Sequence, residues 1–249
     1  MAIANNEKKL IKISGVILLG LVIVLWAVPA DVPDFTEYEA GTERKEVFLN
    51  YFLPLIEEHN TAILKSREQI SDWSQDRDNI GWWGRLQLES LLATYQVDNF
   101  DVNSDEDWAT LLRRVDAVPV SLALAQAANE SAWGTSRFGR EGYNYYGQWC
   151  YKQGCGLVPR KRGMGDDHEV EVFTSPEDSV ESYLRNLNSN KAYTSLREIR
   201  ARLRAADKPI TGIELARGLG KYSQRGDDYI NELRSIIRQN DLLQHDVKN

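Results

Sequence analysis

The sequence predicts a mainly α-helical protein with one small β-hairpin and an apolar segment ahead of the folded part. Apolar residues recur at the three- and four-residue spacing of amphipathic helices through most of the chain after residue 42. One short stretch, residues 168–173, has instead the two-residue alternation of a half-buried strand. The apolar run near the N-terminus, residues 13–28, predicts a transmembrane helix.

Length and composition fit one substantial core with room for an accessory region. The chain has 249 residues, of which 42% are hydrophobic. Its formal net charge is -7, and no basic stripe with interleaved aromatic residues is present in the sequence. Nucleic acid is therefore not an expected partner.

Residues 1–30 are predicted to be a signal anchor. Lys8, Lys9 and Lys12 precede the apolar run, and acidic residues follow it from Asp31 onward. This charge distribution predicts a cytoplasmic N-terminus and a translocated domain. The run is short for a membrane helix and long for a signal-peptide core, and Pro29 makes a poor cleavage site, so an uncleaved anchor is favoured over a removed signal peptide.

Residues 31–115 are predicted to be a stalk followed by accessory helices. Residues 31–42 combine prolines, a glycine and several acids, a composition typical of an extended stalk. Apolar spacing then predicts helices at residues 43–60, 60–75, 82–95 and 105–115. We expect this accessory region, residues 43–115, to pack on the C-terminal half of the chain.

The C-terminal half opens with an alanine-rich helix that carries a single charge. Glu130 is the only charged residue in residues 120–136, and Trp133 follows it within one turn. Burial against such a ring disfavours the carboxylate and raises the pKa of the carboxyl group, as a glycosidase general acid requires. The structural alternative is a helix-terminal glutamate that hydrogen-bonds a neighbouring loop.

A hairpin and four helices complete the predicted elements. The hairpin pairs residues 156–159 with residues 168–173 across a glycine-rich turn. Helices are predicted at residues 176–187, 194–205, 211–219 and 227–240.

Cys150 and Cys155 are predicted to form a disulfide. In an exported chain, a pair with four intervening residues can close a small loop that stabilises the fold by about 2 kcal/mol. Zinc binding is the alternative, but the three histidines of the chain have no metal-ligand spacing. No metal and no cofactor are expected.

Four ordered motifs resemble the glucosaminidase family of peptidoglycan hydrolases. They are ESAWGTS at residues 130–136, NYYG at 144–147, FTSPEDSVESY at 173–183 and GLGKYS at 218–223. The WC and GCGLVP runs at residues 149–150 and 154–159 resemble the Bax-type subgroup of bacterial envelope proteins. The resemblance covers about residues 118–243 and implies a lysozyme-like catalytic domain at residues 116–245.

The resemblance implies hydrolysis of the β-1,4 bond after N-acetylglucosamine in peptidoglycan. Glu130 matches the family's catalytic glutamate, and a second carboxylate is expected on the hairpin. Glu169 is preferred by its spacing from Glu130, and Glu171, on the same strand face, is the alternative. Tyr222 matches the family's late tyrosine and is expected to donate a hydrogen bond to, or orient, the reacting sugar. Inversion and attack by the substrate's own acetamido group both remain open.

Four further residues are expected to contact substrate. The rings of Tyr145, Tyr146 and Trp149 are suited to stacking on sugar faces, whereas Trp133 is expected in the core. Asn144 is grouped with them and is expected to hold their turn. With the apolar run and its flanking charges, this substrate implies an enzyme anchored in the inner membrane through residues 13–28 with its domain in the periplasm, or an exported enzyme if the signal is cleaved.

Two other functions remain possible on the sequence. A lytic transglycosylase would use one helix-borne glutamate and the muramyl hydroxyl as its internal nucleophile, so a missing second carboxylate would favour it. A non-catalytic wall-binding or scaffold protein would keep the groove without the activity, which the intact Glu130 and Tyr222 argue against. A regulatory partner is plausible for such a hydrolase, but no residue identifies one.

Overall fold

The computed structural model describes residues 31–159 and 168–246. The predicted anchor, residues 13–28, lies outside these ranges. Within them, no helix is both long enough and apolar enough to cross a membrane.

The described residues form a mainly helical fold with one small sheet, as the sequence predicts. The α-helices are α1 Thr42–Gln75, α2 Trp82–Thr94, α3 Asp105–Arg114, α4 Val120–Ser131, α5 Arg137–Gly142, α6 Pro176–Ser189, α7 Thr194–Ala205, α8 Gly212–Leu215 and α9 Asp227–Gln239. The strands are β1 Trp149–Cys150, β2 Gly156–Leu157 and β3 Glu169–Glu171. Short 3-10 helices occur at Arg77–Asn79, Lys191–Tyr193, Ala216–Leu219 and Leu242–His245.

The prediction of two helices over residues 43–75 is wrong, because α1 is continuous over 34 residues. Pro54 lies inside it, and Asn60 stands where the boundary was expected. Asn60 is buried against the chain that leads into α4: its Nδ2 donates to the Val118 carbonyl at 2.8 Å, and its Oδ1 accepts from the Val118 N–H at 3.0 Å. A polar residue that suggests a helix end therefore joins two elements.

The prediction of an extended stalk at residues 31–42 is also wrong, because Phe35 is only 2% exposed. Its ring packs in an aromatic cluster with Phe48, Phe52 and Tyr145, at centroid distances of 5.2 to 6.4 Å. A Cβ at Gly134 would lie 2.1 Å from that ring, so only glycine fits there. Phe35 therefore fixes this otherwise mostly exposed segment to the core.

Two hydrophobic clusters organise the helices. The larger cluster joins the first half of α1 to α4, α6 and α9, while the smaller one holds α2 and α3 against the second half of α1. The accessory helices therefore pack on the rest of the chain, as predicted, and α1 contributes to both clusters.

Asp116 connects the accessory helices to the C-terminal half. Its carboxylate is 3% exposed and accepts two hydrogen bonds from Arg204, at 2.9 and 2.6 Å. Arg67 of α1 and the fully buried Arg200 of α7 approach the same carboxylate at 3.6 Å. One buried carboxylate between α3 and α4 thus ties α1 to α7.

The small sheet has three strands rather than the predicted two. β3 lies in the centre, antiparallel to β1 and β2, with Cys150 opposite Glu169 and Gly156 opposite Glu171. The predicted pairing of β2 with β3 is confirmed. The two-residue β1 was not predicted, because so short a run carries no alternation.

Most other predicted helices are present within two residues of their expected ends. The exceptions are α5, which has six residues and was not predicted, and the 211–219 helix, which is α8 followed by a 3-10 turn. The Thr211 side chain accepts from the Glu214 N–H, as the capping pattern predicts.

Candidate active site

A cleft of about 1000 Å³ lies between the helical part and the small sheet. Its lining comes mainly from the end of α4, residues 147–151, β3, one side of α6 with the turn that follows it, and the loop before α9; Gln96 and Phe138 also contribute. Glu130, Glu171 and Tyr222, all predicted site residues, meet there. Glu169 does not line it.

Glu130 is held at the last turn of α4 by an unusual helix end. The three residues after the helix, Ala132, Trp133 and Gly134, all have positive φ angles. Ser131 bridges this turn, since its hydroxyl donates to the Ala127 carbonyl and accepts from the Gly134 N–H. The sharp reversal ends α4 with Glu130 on the cleft side.

The Glu130 carboxyl group combines burial with access to the cleft. Burial raises its pKa, while hydrogen bonds from Tyr229 and Asn129 lower it. Oε2 lies against Gly147, whose φ is +65°, and a Cβ there would be only 3.3 Å away. A desolvated carboxyl group that still reaches open space holds its proton to higher pH than an exposed one and can deliver it into the cleft.

Tyr222 lies beside Glu130 with its hydroxyl already engaged. The O–H donates to the Tyr146 carbonyl at 2.7 Å, and the ring stacks on Tyr229 at 5.5 Å. Burial, together with the neighbouring Tyr229 and Glu130, raises the pKa of Tyr222 well above its usual value, so the phenol stays neutral. In this arrangement the oxygen of Tyr222 can accept a hydrogen bond from a sugar but has no free proton to donate, which differs from the predicted donor role.

The two hairpin glutamates have separate environments, although they alternate on one strand. Glu169 is 5% exposed and accepts from the Gly154 N–H at 3.1 Å and the Gly156 N–H at 2.8 Å. Those bonds hold the loop between Cys150 and Cys155. Glu171 lines the cleft, where burial raises its pKa and Arg185 opposes that rise. The preference for Glu169 as the second cleft carboxylate is therefore not supported, and the alternative Glu171 occupies that place.

Tyr145 and Tyr146 are core residues, with exposures of 2% and 0%. Tyr145 packs in the aromatic cluster, and Tyr146 stacks on Tyr183 with 3.9 Å between the ring centroids. Neither ring presents a face to a sugar in this structure, in contrast to the predicted stacking role. The motif does not reveal that the core needs both rings, so the sequence predicted a binding role for residues that pack inside.

Asn144 holds the turn that it precedes. Its Nδ2 donates to the carbonyls of Gln148 and Glu171, and its Oδ1 accepts from the Gln148 N–H. With 1% exposure it has no surface for substrate, so its expected grouping with the substrate-binding residues is replaced by a structural role.

Trp149 remains a candidate for sugar stacking. Its ring is 52% exposed, lines the cleft and stacks on His168 at 4.1 Å. Trp133, by contrast, packs against Phe48 in the larger hydrophobic cluster, as predicted.

Cys150 and Cys155 form the predicted disulfide. Together with Glu169, they form the one cluster among the described residues whose potential ligand atoms lie close enough to hold a metal ion. Because both sulfur atoms are bonded to each other, they are not available as thiolate ligands.

Two glutamines of the site were not singled out from the sequence. Gln148 lines the cleft and donates to Ser182, while its Oε1 has no hydrogen-bond partner among the described residues. Gln126 is fully buried one helical turn before Glu130. The signal for Gln126 is a single amide in the otherwise apolar residues 122–128, four residues before the one charged residue of α4.

This geometry is typical of a glycoside hydrolase: an open cleft with a desolvated carboxyl group in its wall. Comparisons with known proteins give the family. A family model described as mannosyl-glycoprotein endo-beta-N-acetylglucosaminidase matches residues 105–242. Protein bax of Escherichia coli strain K12 is 35% identical over 218 residues, which cover 86% of this chain and 76% of bax.

A solved structure, the catalytic domain of the autolysin Auto from Listeria monocytogenes, is similar at 17% identity with a TM-score of 0.43. The match covers 85% of this chain and 92% of that domain. The family match and the identity to bax are decisive by themselves. The chain belongs to the glucosaminidase family of glycoside hydrolases, as its motifs predict.

Proposed function

We propose that this protein hydrolyses the β-1,4 bond after N-acetylglucosamine in peptidoglycan, with Glu130 as the general acid. The observation that carries the proposal is the Glu130 carboxyl group, whose pKa is raised by burial although it borders the cleft. Membership of the glucosaminidase family and the similarity to bax support the glycosidic bond as the target.

In the proposed mechanism, Glu130 protonates the departing glycosidic oxygen as the bond to the anomeric carbon breaks. Glu171 is the proposed second carboxylate, because it lines the same cleft and Glu169 is engaged by two backbone N–H groups. It either activates a water molecule or stabilises the positive charge on the sugar. Attack by the substrate's acetamido oxygen would leave Glu171 the stabilising role alone.

Two further residues are proposed to hold the glycan. Trp149 offers an exposed aromatic face in the cleft, which suits the apolar face of a sugar ring. Gln148 offers the Oε1 acceptor described above, suited to a hydroxyl or an acetamido N–H after a small shift of the side chain. Tyr222 is proposed to support the reacting sugar as an acceptor.

The proposed location is the periplasmic side of the inner membrane, with residues 13–28 as the anchor. The support is the charge pattern on either side of that apolar run. Fractionation of cells that express the full chain tests the location: the protein should sediment with inner membranes and be accessible to protease only after the outer membrane is opened.

The test of the activity is digestion of purified peptidoglycan by the full chain in mild detergent, beside Glu130→Gln. Mass spectrometry of the released fragments is expected to find reducing-end N-acetylglucosamine products with the wild type and none with the variant. Equal release by both proteins would contradict the role of Glu130.

The same digestion separates the two rival functions. A lytic transglycosylase releases anhydro-muramyl products and needs one carboxylate alone, so the presence of Glu171 beside Glu130 in the cleft favours the hydrolase. A wall-binding scaffold would sediment with peptidoglycan and release nothing. Either result would overturn the proposed hydrolysis.

A further inference from the structure

A row of buried hydrogen bonds, called the relay below, leads from Tyr183 in the core through Gln126 and Tyr229 to Glu130. The Tyr183 hydroxyl donates to Gln126 Oε1 at 2.7 Å, and Gln126 Nε2 donates to the Tyr229 hydroxyl oxygen at 2.9 Å. The Tyr229 hydroxyl in turn hydrogen-bonds the Glu130 carboxyl group. These residues come from three helices, α6, α4 and α9, and Tyr183, Gln126 and Tyr229 are at most 2% exposed.

The chemistry of an amide gives this row one direction. An amide oxygen only accepts and an amide N–H only donates, whereas a tyrosine hydroxyl can do both but has a single proton. Tyr183 gives its proton to the amide oxygen, which leaves the amide N–H for Tyr229. Since the Tyr229 oxygen accepts that N–H, its own proton is free to point to Glu130.

The direction determines where Glu130 can carry its acidic proton. The carboxyl oxygen that accepts from Tyr229 binds a proton less readily, so the acidic proton is favoured on the other oxygen. Oε1 faces the Asn129 amide at 3.5 Å, and Oε2 lies against Gly147 at the cleft.

We propose that Gln126 and Tyr183 are positioning residues that direct the Tyr229 hydroxyl proton at Glu130 and so keep the acidic proton of Glu130 available to the substrate. The inference rests on the proposed general-acid function and adds three residues to it. A donated hydrogen bond also favours the carboxylate, so it limits how far burial raises the pKa of Glu130.

Reversal of the amide would reverse the effect. If Gln126 Oε1 pointed to Tyr229, the tyrosine would donate to the amide and present only lone pairs to Glu130. Protonated Glu130 would then donate to Tyr229, and its proton would point into the core instead of the cleft. The Tyr183 hydroxyl disfavours this, because against a reversed amide it could only accept, and its own buried proton would lose the acceptor that Gln126 Oε1 now provides.

Other ionisable groups surround Glu130, and the relay variants leave all of them in place. They are Glu171 on β3, Tyr193 after α6, Tyr222 and Arg225 before α9, and Glu232 on α9. Arg225 is paired with Glu232 at 2.6 Å. A change in the pH profile when the Tyr183 hydroxyl is removed is therefore attributable to the relay.

The test is the pH dependence of kcat/KM for glycan cleavage by the full chain carrying Tyr183→Phe, Tyr229→Phe or both. Each single variant is expected to move the basic limb, which reports the ionisation of Glu130, to higher pH by about one unit. In Tyr183→Phe, kcat should also fall with little change in KM. The double variant should have the same limb as Tyr229→Phe, because Tyr183 acts only through Tyr229.

Tyr51→Phe is the matched control, since it removes a phenol that packs against the same hydrophobic cluster without contact to the relay. Its limb should coincide with that of the wild type. Should Tyr183→Phe not fold, Gln126→Met tests the same step, because methionine fills a similar volume and provides no directed amide. The expected limb shift is again upward.

An unmoved basic limb in Tyr183→Phe or Gln126→Met, with wild-type circular dichroism, would overturn the relay. So would a limb in the double variant that shifts by the sum of the single shifts. Glu130→Gln, assayed in parallel, distinguishes failure of the general-acid function from failure of the relay. If this variant cleaves like the wild type, the general-acid function is refuted. If it is inactive and the basic limb of the relay variants is unmoved, only the relay is refuted.

Discussion

Gly147 lies so close to Glu130 that a Cβ on the glycine would be 3.3 Å from Oε2 of the carboxyl group. The glycine has a φ of +65°, in the left-handed region that side chains avoid. The NYYG turn therefore does two things for the site. It brings backbone within van der Waals reach of the carboxyl group, and it leaves that group open to the cleft.

Gly147→Ala is expected to reduce activity beyond its effect on stability. The left-handed backbone costs about 1–2 kcal/mol with alanine, measurable by urea unfolding. Contact of the new methyl group with Oε2 should shift the carboxyl group and lower kcat by roughly 10- to 100-fold. Gly154→Ala is the matched control, with a φ of +79° and nothing within 4 Å of its Cβ. It should lose similar stability but keep its kcat, and equal kcat losses in both variants would contradict the contact.

Glu130→Gln is expected to stabilise the protein at neutral pH. The pKa of Glu130 is higher in the folded state than the ordinary 4.5, so between those two values the folded state binds more protons than the unfolded chain. Stability therefore falls as the pH rises through this window, and each unit of pKa difference corresponds to about 1.4 kcal/mol. Glutamine does not ionise, so the variant avoids this loss of stability. Urea unfolding should find the variant more stable at pH 7 and the advantage gone below pH 4.5; an equal advantage at both values would refute the pKa shift.

Glu171→Gln and Glu169→Gln are expected to separate catalysis from structure. Glu171 lines the cleft, so its loss should lower kcat/KM by about 100-fold with a small effect on stability. Glu169 accepts two backbone N–H groups, and an amide there would oppose one donor with another, which should cost about 1–3 kcal/mol. Activity assays and urea unfolding of both variants test this assignment. A loss of activity in Glu169→Gln alone would instead make Glu169 the catalytic carboxylate.

Asp116→Asn is expected to destabilise the fold by about 3 kcal/mol, because it leaves the fully buried Arg200 without its countercharge. Asp105→Asn is the control: Asp105 also pairs with an arginine, Arg77, but its side chain is 92% exposed. That exposed pair should contribute less than about 1 kcal/mol. Similar losses in the two variants would show that the Asp116 cluster is not a determinant of stability.

The helical pattern of the sequence predicts most of the fold because the helices are amphipathic and several are capped. The failures have physical causes. The predicted helix boundary at Asn60 is absent because Asn60 pairs with Val118 from inside α1, and Pro54 is tolerated within the same helix. Residues 31–42 have the composition of a linker, and a single residue, Phe35, fixes them to the core.

The site is partly predictable from the sequence motifs. The motifs identify Glu130, Tyr222 and Trp149, all of which line the cleft. They do not reveal which aromatic residues the core requires, so the burial of Tyr145 and Tyr146 was missed. Strand alternation puts Glu169 and Glu171 on one face, and only the fold of the disulfide loop, which supplies two N–H groups to Glu169, tells them apart.

The most direct test of the general-acid role is the leaving-group dependence of Glu130→Gln. The variant and the wild type are compared on glycan strands and on a dinitrophenyl glycoside of a muramyl–N-acetylglucosamine disaccharide, whose leaving group needs no proton. We predict a loss of about 100-fold or more on the glycan and a far smaller loss on the aryl glycoside. Equal losses on both substrates would contradict the role of Glu130 as the general acid.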